Sequence, residues 1–180
     1  EFLKTHTCDT LYLVGDIIDG WQLRRKWYWP QAHNDVVQKL LRKARKGCRV
    51  IYVPGNHEDF GESTTLDWMF YHQQNGLNVL NNSNVKIAES SQCDGFNLVG
   101  LDDLSTGRDK LELALQNQTS NLLTILLAHQ PNQIEKIKDM HKIDLIISGH
   151  THSGMFFPIH TFSWLANNYF VGLYFDNGKY

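Results

Sequence analysis

Four short apolar runs in this chain each end in side chains that bind metals or move protons. That repeated coincidence constrains the fold more than any other feature. Leu11-Tyr12-Leu13-Val14 runs into Gly15-Asp16-Ile17-Ile18-Asp19, and Val50-Ile51-Tyr52-Val53 leads to Gly55-Asn56-His57-Glu58. Leu122 to Ala128 delivers His129, and Leu145-Ile146-Ile147 delivers Gly149-His150-Thr151-His152. Runs this short, rich in β-branched residues, read as buried strands. In open α/β sheets, sites form outside the carboxyl ends of the strands. Four strands ending in ligand residues therefore imply one convergent site, and the residue types make it a metal site.

The segments between these strands set the class. His33 to Lys46 reads as an amphipathic helix with Val36, Val37, Leu40, Leu41 and Ala44 on one face and Arg42, Lys43, Arg45 and Lys46 turned away. Gly47 is placed to stop it. Leu66 to Gln74 reads as a short helix with Leu66, Met69 and Phe70 on its inner side. Short strands are expected at residues 78–80, 85–87 and 96–99. Helices are expected at Asp109–Gln116 and Pro131–Met140, and a closing pair of strands in the aromatic tail from Met155 to Tyr180. Strands alternating with helices give an α/β class. A layered sandwich, with two sheets inside and helices outside, accommodates the antiparallel pieces at 75–104 and in the tail. The expectation is a single domain over residues 1–180.

Composition narrows the function. Seventeen basic and nineteen acidic residues leave a formal charge of -2, so nothing pulls the chain as a whole toward nucleic acid or an anionic membrane. No run of about eighteen apolar residues occurs, so no spanning helix is expected. The three cysteines, Cys8, Cys48 and Cys93, lie far apart in sequence without metal or redox spacing, which favours a reduced compartment. Asn81-Asn82-Ser83 and Asn117-Gln118-Thr119 match a glycosylation pattern but read as ordinary loop asparagines. The chain opens at Glu1 without Met or a signal peptide, and is expected to be a piece of a longer one.

Aspartate, asparagine and histidine together suit a borderline divalent ion such as Mn, Fe, Zn or Co. A carboxylate such as Asp16 can bridge two ions about 3.5–4 Å apart, which hold a hydroxide for in-line attack on phosphorus. Asn56 is a neutral oxygen donor that leaves the site cationic. His57 is placed to face substrate and protonate the leaving oxygen.

The four motifs, in order, resemble the calcineurin-like metallophosphoesterases. That family's pattern is an Asp-x-His pair, then Gly-Asp-x-x-Asp, Gly-Asn-His followed by Asp or Glu, a lone His, and Gly-His-x-His. The resemblance implies a four-layer α-β-β-α sandwich around two divalent ions, Mn, Fe or Zn. Asp16 would bridge, Asn56, His129 and His150 would complete one ion, and His152 would join Asp16 on the other. His57 would meet the phosphate and Asp19 would orient it. The opening Asp-x-His is absent upstream of Asp16, and with it the family's first strand. The expectation is therefore a chain truncated relative to an active enzyme, or a degenerate member acting as a protein-binding scaffold.

Residues 9–58 resemble UDP-2,3-diacylglucosamine diphosphatase-like enzymes, whereas the chain from about residue 60 resembles membrane-associated metallophosphoesterases, through Gly100-Leu101-Asp102-Asp103 and Ile146 to Gly154. The two halves disagree on substrate, and the expectation is a phosphorylated small molecule or a lipid-linked one; the second branch adds peripheral membrane contact, and the reduced compartment is expected to be the cytoplasm. Ser153 stands where the second branch carries glycine.

Other features carry less. His6, His33, His72, His141 and His160 read as surface or core histidines. Asp102 and Asp103 read as strand-end turn residues that could also rim the site. The basic and aromatic stretch from Trp21 to Pro30, with Arg24-Arg25-Lys26, supports two readings equally: a cap that grips phosphate or lipid, or a solvated loop whose aromatics pack on the sheet.

Overall fold

Val50, Ile51, Tyr52 and Val53 are all buried, which is what a continuous apolar run should become when strands flank it on both sides. In the computed structural model they form β2 (Arg49–Val53), paired in parallel with β1 (Thr10–Val14) and β3 (Leu77–Val79) in the order β1-β2-β3. The structure describes residues 1–20, 26, 28–59, 62–88, 95–137, 142–152 and 159–175. Two compact units divide the chain, residues 1–79 and residues 80–180.

In the first unit, β1 is in register with β2 from Thr10↔Arg49 to Val14↔Val53, so the loops carrying Asp16 and Asn56 leave the same edge of one sheet. A one-turn helix α1 (Phe2–Thr5) precedes β1, and α2 (Gln31–Arg45) crosses from β1 to β2. Leu40 and Leu41 are its buried residues, and Leu41 packs with Val50 and Leu77 against Leu13, Val37 and Ala44. Val36, expected on this face, is exposed. Gly47 follows with φ +93°, a left-handed stop that glycine adopts without steric cost.

The next helix, α3 (Glu62–Gln74), buries Met69 and His72, whereas Leu66 and Phe70 are exposed. Its described apolar residues surround the axis, so the pattern does not select a face. Met69 is chosen by its place against Tyr52 and Val79. Burial pushes the His72 ring below its ordinary value, so it serves as a neutral core histidine. Cys8 and Cys48, forty positions apart in sequence, bring their sulfurs within 3.7 Å as free thiols at the entry to β1 and β2. Their separation in sequence concealed this, because parallel pairing aligns the strands' entry points. Cys93 lies outside the described residues.

The second unit holds a four-stranded sheet in the order β4-β5-β6-β7. Here β4 (Ser83–Ile87) and β5 (Phe96–Gly100) are antiparallel, while β6 (Leu123–Leu127) and β7 (Leu145–Ile147) run parallel to β5. Val99, Leu101, Leu126, Ala128 and Ile143 form its core with Ala114 from the one-turn helix α4 (Leu111–Ala114) and Ile137. Pro131–Lys136 is a 3-10 helix, shorter than the expected Pro131–Met140, of which residues 138–140 lie outside the described set.

The tail departs from expectation. In place of the first of a strand pair, Ile159–Ala166 forms a helix, α5. Residues 155–158 and 176–180 of the expected pair lie outside the described residues, as do Arg24, Arg25, Trp27 and Ser153. The architecture is mixed α/β with two sheets and accompanying helices, as the alternating runs required.

Candidate metal centre

Six described non-glycine residues have positive φ: Asn82, Asn117, Asn121, Asp16, His150 and His152. Asparagine tolerates this region because its short side chain bonds locally. The other three are all expected metal ligands, held at φ 53° (Asp16), 66° (His150) and 53° (His152). Such backbone costs about 1–3 kcal/mol per residue and persists where surrounding structure over-determines it.

For Asp16 that surrounding structure is Glu58. Its carboxylate accepts from four backbone N–H groups: Gly55 at 2.8 Å, Asp16 at 2.9 Å, Ile18 at 2.8 Å, and Ile17. One buried side chain thus ties the loop after β1 to the loop after β2. The approach is so close that a Cβ on Gly55 would lie 2.5 Å from Asp16 Oδ1 and 2.6 Å from Asp16 N. Burial pushes the Glu58 carboxyl up, the N–H groups of Ile18 and Gly55 pull it back, and the Asp16 carboxylate adds to the upward push. Tyr52, fully buried below it, has its hydroxyl driven well above the ordinary value by burial and then by Glu58. Sequence reasoning gave Glu58 no role. The signal was the Gly55-x-x-Glu58 spacing, in which the acidic side chain reaches back to the turn's first N–H.

On this frame Asn56 is buried, and the His57 N–H donates to Asp16 Oδ1 at 3.0 Å. His57 Nδ1 lies 3.1 Å from Asp19 Oδ1, with both side chains about one-third to one-quarter exposed (34% and 26%). A carboxylate on Nδ1 places the ring proton there and leaves Nε2 as the nitrogen that can exchange a proton with a ligand. Asp19 thus sits in contact with the His57 ring, the pairing that the motif implied.

The second unit brings two of the expected ligands, His129 and His150, together. Ladder bonds continue past the strand ends: Leu101 N to Leu127 O, Ala128 N to Ile147 O, and Gly149 N to His129 O. The last ties the residue before His150 to the carbonyl of His129, which is buried. His129 Nε2 and His150 Nδ1 stand 3.3 Å apart, with ring planes at 81°. Two imidazole nitrogens each about 2.0–2.1 Å from one tetrahedral ion would be about 3.3 Å apart, so the pair fits a shared divalent ion. Thr151 Oγ1 donates to Phe170 O at 2.7 Å and anchors the turn. His152 follows it and is exposed.

Asp102 and Asp103 are buried. Asp103 caps the 3-10 turn Leu104–Thr106 by accepting from Ser105 N, which is the turn chemistry expected of it. Asp102 pairs with Arg108 at 3.1 Å. Burial raises the Asp102 carboxyl, and Arg108 opposes the rise.

The calcineurin-like phosphoesterase family model matches residues 1–154. The chain belongs to the calcineurin-like phosphoesterase family. An uncharacterized metallophosphoesterase of Helicobacter pylori is 38% identical over 135 residues, covering 71% of this chain and 34% of that protein. A zebrafish (Danio rerio) transmembrane protein with metallophosphoesterase domain is 32% identical over 176 residues, covering 92% of this chain and 38% of that protein. Its Bos taurus counterpart by name is 35% identical over 147 residues, covering 74% and 33%. This calcineurin-like phosphoesterase chain thus spans about a third of the length of these relatives. Among its described residues, no helix is long and apolar enough to cross a membrane.

Proposed function

We propose that this chain forms a metal-dependent phosphoesterase site acting on a phosphate ester or pyrophosphate. The observation that carries the reading is the His57–Asp19 pair, in a loop that Glu58 fixes beside Asp16. A histidine tied to a carboxylate through Nδ1 is built to protonate a leaving oxygen through Nε2. Two divalent ions, with manganese the first to try, would be held by Asp16 between them, by Asn56, His129 and His150 on one side, and by His152 on the other. Bound metal supplies positive charge for the phosphoryl oxygens and acidifies a water for attack. Asn56 adds a donor without charge, which preserves that positive field.

The substrate class we propose is a phosphorylated small molecule or lipid-linked phosphate, met by peripheral contact with a membrane. Two relatives named as transmembrane proteins support the membrane setting. Exposed Trp164, Leu165, Leu173 and Phe175 in the tail are compatible with it.

The test is metal content per chain after Mn loading and desalting, with hydrolysis of an aryl phosphodiester on the same sample. His57→Ala is expected to abolish turnover while leaving metal content unchanged. Undiminished hydrolysis in that variant would remove His57 from the chemistry. A wild-type chain with neither metal nor turnover would favour the scaffold reading.

A further inference from the structure

We infer that Gln133 is a positioning residue for His129, acting by clamping the turn that starts there to the turn after β5. The inference rests on the proposal that His129 is a metal ligand. Gln133 is 1% exposed, yet both ends of its amide are bonded. Nε2 donates to the Asp102 carbonyl at 2.9 Å, and Oε1 accepts from Gln130 N at 3.4 Å. A second strap runs in parallel, from Gln130 Nε2 to Asp103 Oδ1 at 2.8 Å. Two glutamines thus bind the residue next to His129 to two consecutive aspartates.

The chain before His129 is fixed as well, where Ala128 N donates to Ile147 O at 3.1 Å. On the peptide that His129 shares with Gln130, the His129 carbonyl accepts from Gly149 N at 2.9 Å, which couples it to the turn that carries His150. With backbone ties on both sides, the ring has little freedom besides its own side-chain torsions. The Nε2 to Nδ1 spacing of 3.3 Å joins two rings whose backbones these ties hold. Ligands must be held within about 0.5 Å for a metal site to bind well.

The choice of residue supports this role. An apolar side chain such as leucine or methionine would fill the same buried space without a polar group to satisfy. A fully bonded buried amide specifies one arrangement of the two turns, where an apolar side chain would permit several. Proline at the first position of the 3-10 helix, Pro131, further restricts the chain between the two glutamines.

The experiment is a double-mutant cycle read by Co²⁺ affinity, using visible absorption of the intact 180-residue chain. Gln133→Met keeps the volume and removes both hydrogen bonds. It is expected to weaken Co²⁺ binding about 10–100-fold, the usual loss for a residue that orients a ligand. In a His129→Ala background the same substitution is expected to leave affinity unchanged, because there is no ligand left to position. Equal losses in both backgrounds, or no loss in either, would overturn the inference and leave Gln133 a structural residue only. Should Gln133→Met fail to fold, Gln130→Ala, at a half-buried site, goes through the same cycle with an expected loss of about 10-fold. If His129→Ala alone leaves Co²⁺ affinity untouched, the metal reading of His129 fails, and this inference with it. Loss in His129→Ala without loss in the glutamine variants would overturn the positioning role alone.

Discussion

The two units solve the same problem with opposite chemistry. Each must hold a polar loop at the end of a parallel strand. The first unit uses charge, with one buried carboxylate, Glu58, gathering four N–H groups from two loops. The second ties its loop with neutral amides, as Gln133 and Gln130 bridge to a carbonyl and to Asp103. The carboxylate arrangement concentrates two loops on one side chain. The amide arrangement divides the work, so that each strap can be cut alone. The first should therefore fail all at once and the second by degrees.

The largest effect is expected where the first unit has no slack. Gly55→Ala would drive a Cβ into Asp16, against backbone as well as carboxylate. Because backbone must move, a loss of about 4 kcal/mol is expected in urea unfolding, the exceptional end of single substitutions. A loss below about 1 kcal/mol would show that the two loops separate easily.

Glu58→Gln comes next. Whichever oxygen becomes an NH₂ then faces two N–H donors, and the charge that attracted them is gone. The expected cost is about 3 kcal/mol, since buried donors left unpaired lose about 1–3 kcal/mol each. Metal affinity should fall with it, because Asp16 loses its anchor. Retained stability would mean that the loops hold themselves without the carboxylate, and the contrast with the second unit would vanish.

The smallest effect concerns pH. Burial raises the Asp102 carboxyl in the second unit. A carboxyl raised in the folded state keeps its proton longer there than in the unfolded chain. Stability is therefore fully present below the ordinary value of 3.8, and falls as pH rises from it through the raised value. Urea midpoints measured across that range should decline, and Asp102→Asn should flatten the decline slightly. An increase with pH would show that Arg108 outweighs burial.

Much of this was legible in the sequence because strand and ligand were written side by side. Val50 to Val53 had to be interior, and a central parallel strand is the way to bury both faces. Asp19 as the orienting partner of His57 was also readable. Glu58 was not, because an acidic residue in a turn is ordinary until its four donors are seen. The inner face of α3 was hidden for another reason. Leu66, Trp68, Met69, Phe70 and Tyr71 surround the helix, so only Tyr52 and Val79 beneath it decide that Met69 goes inward. The tail was misread because aromatic, turn-rich composition suits strands, whereas Ile159–Ala166 winds into a helix. Gln133 could not be weighed at all, since its worth lies in two partners, one of them a residue more than thirty positions away.

The left-handed Asp16, His150 and His152 carry a consequence for how such a chain changes over time. Glycine would sit at each of these positions with less strain, and it is one mutational step from aspartate. Selection for heat resistance alone would therefore erode the proposed site first, because each such change relaxes the backbone while deleting a proposed ligand. Each of these three side chains stands in left-handed backbone that the fold alone would give to glycine.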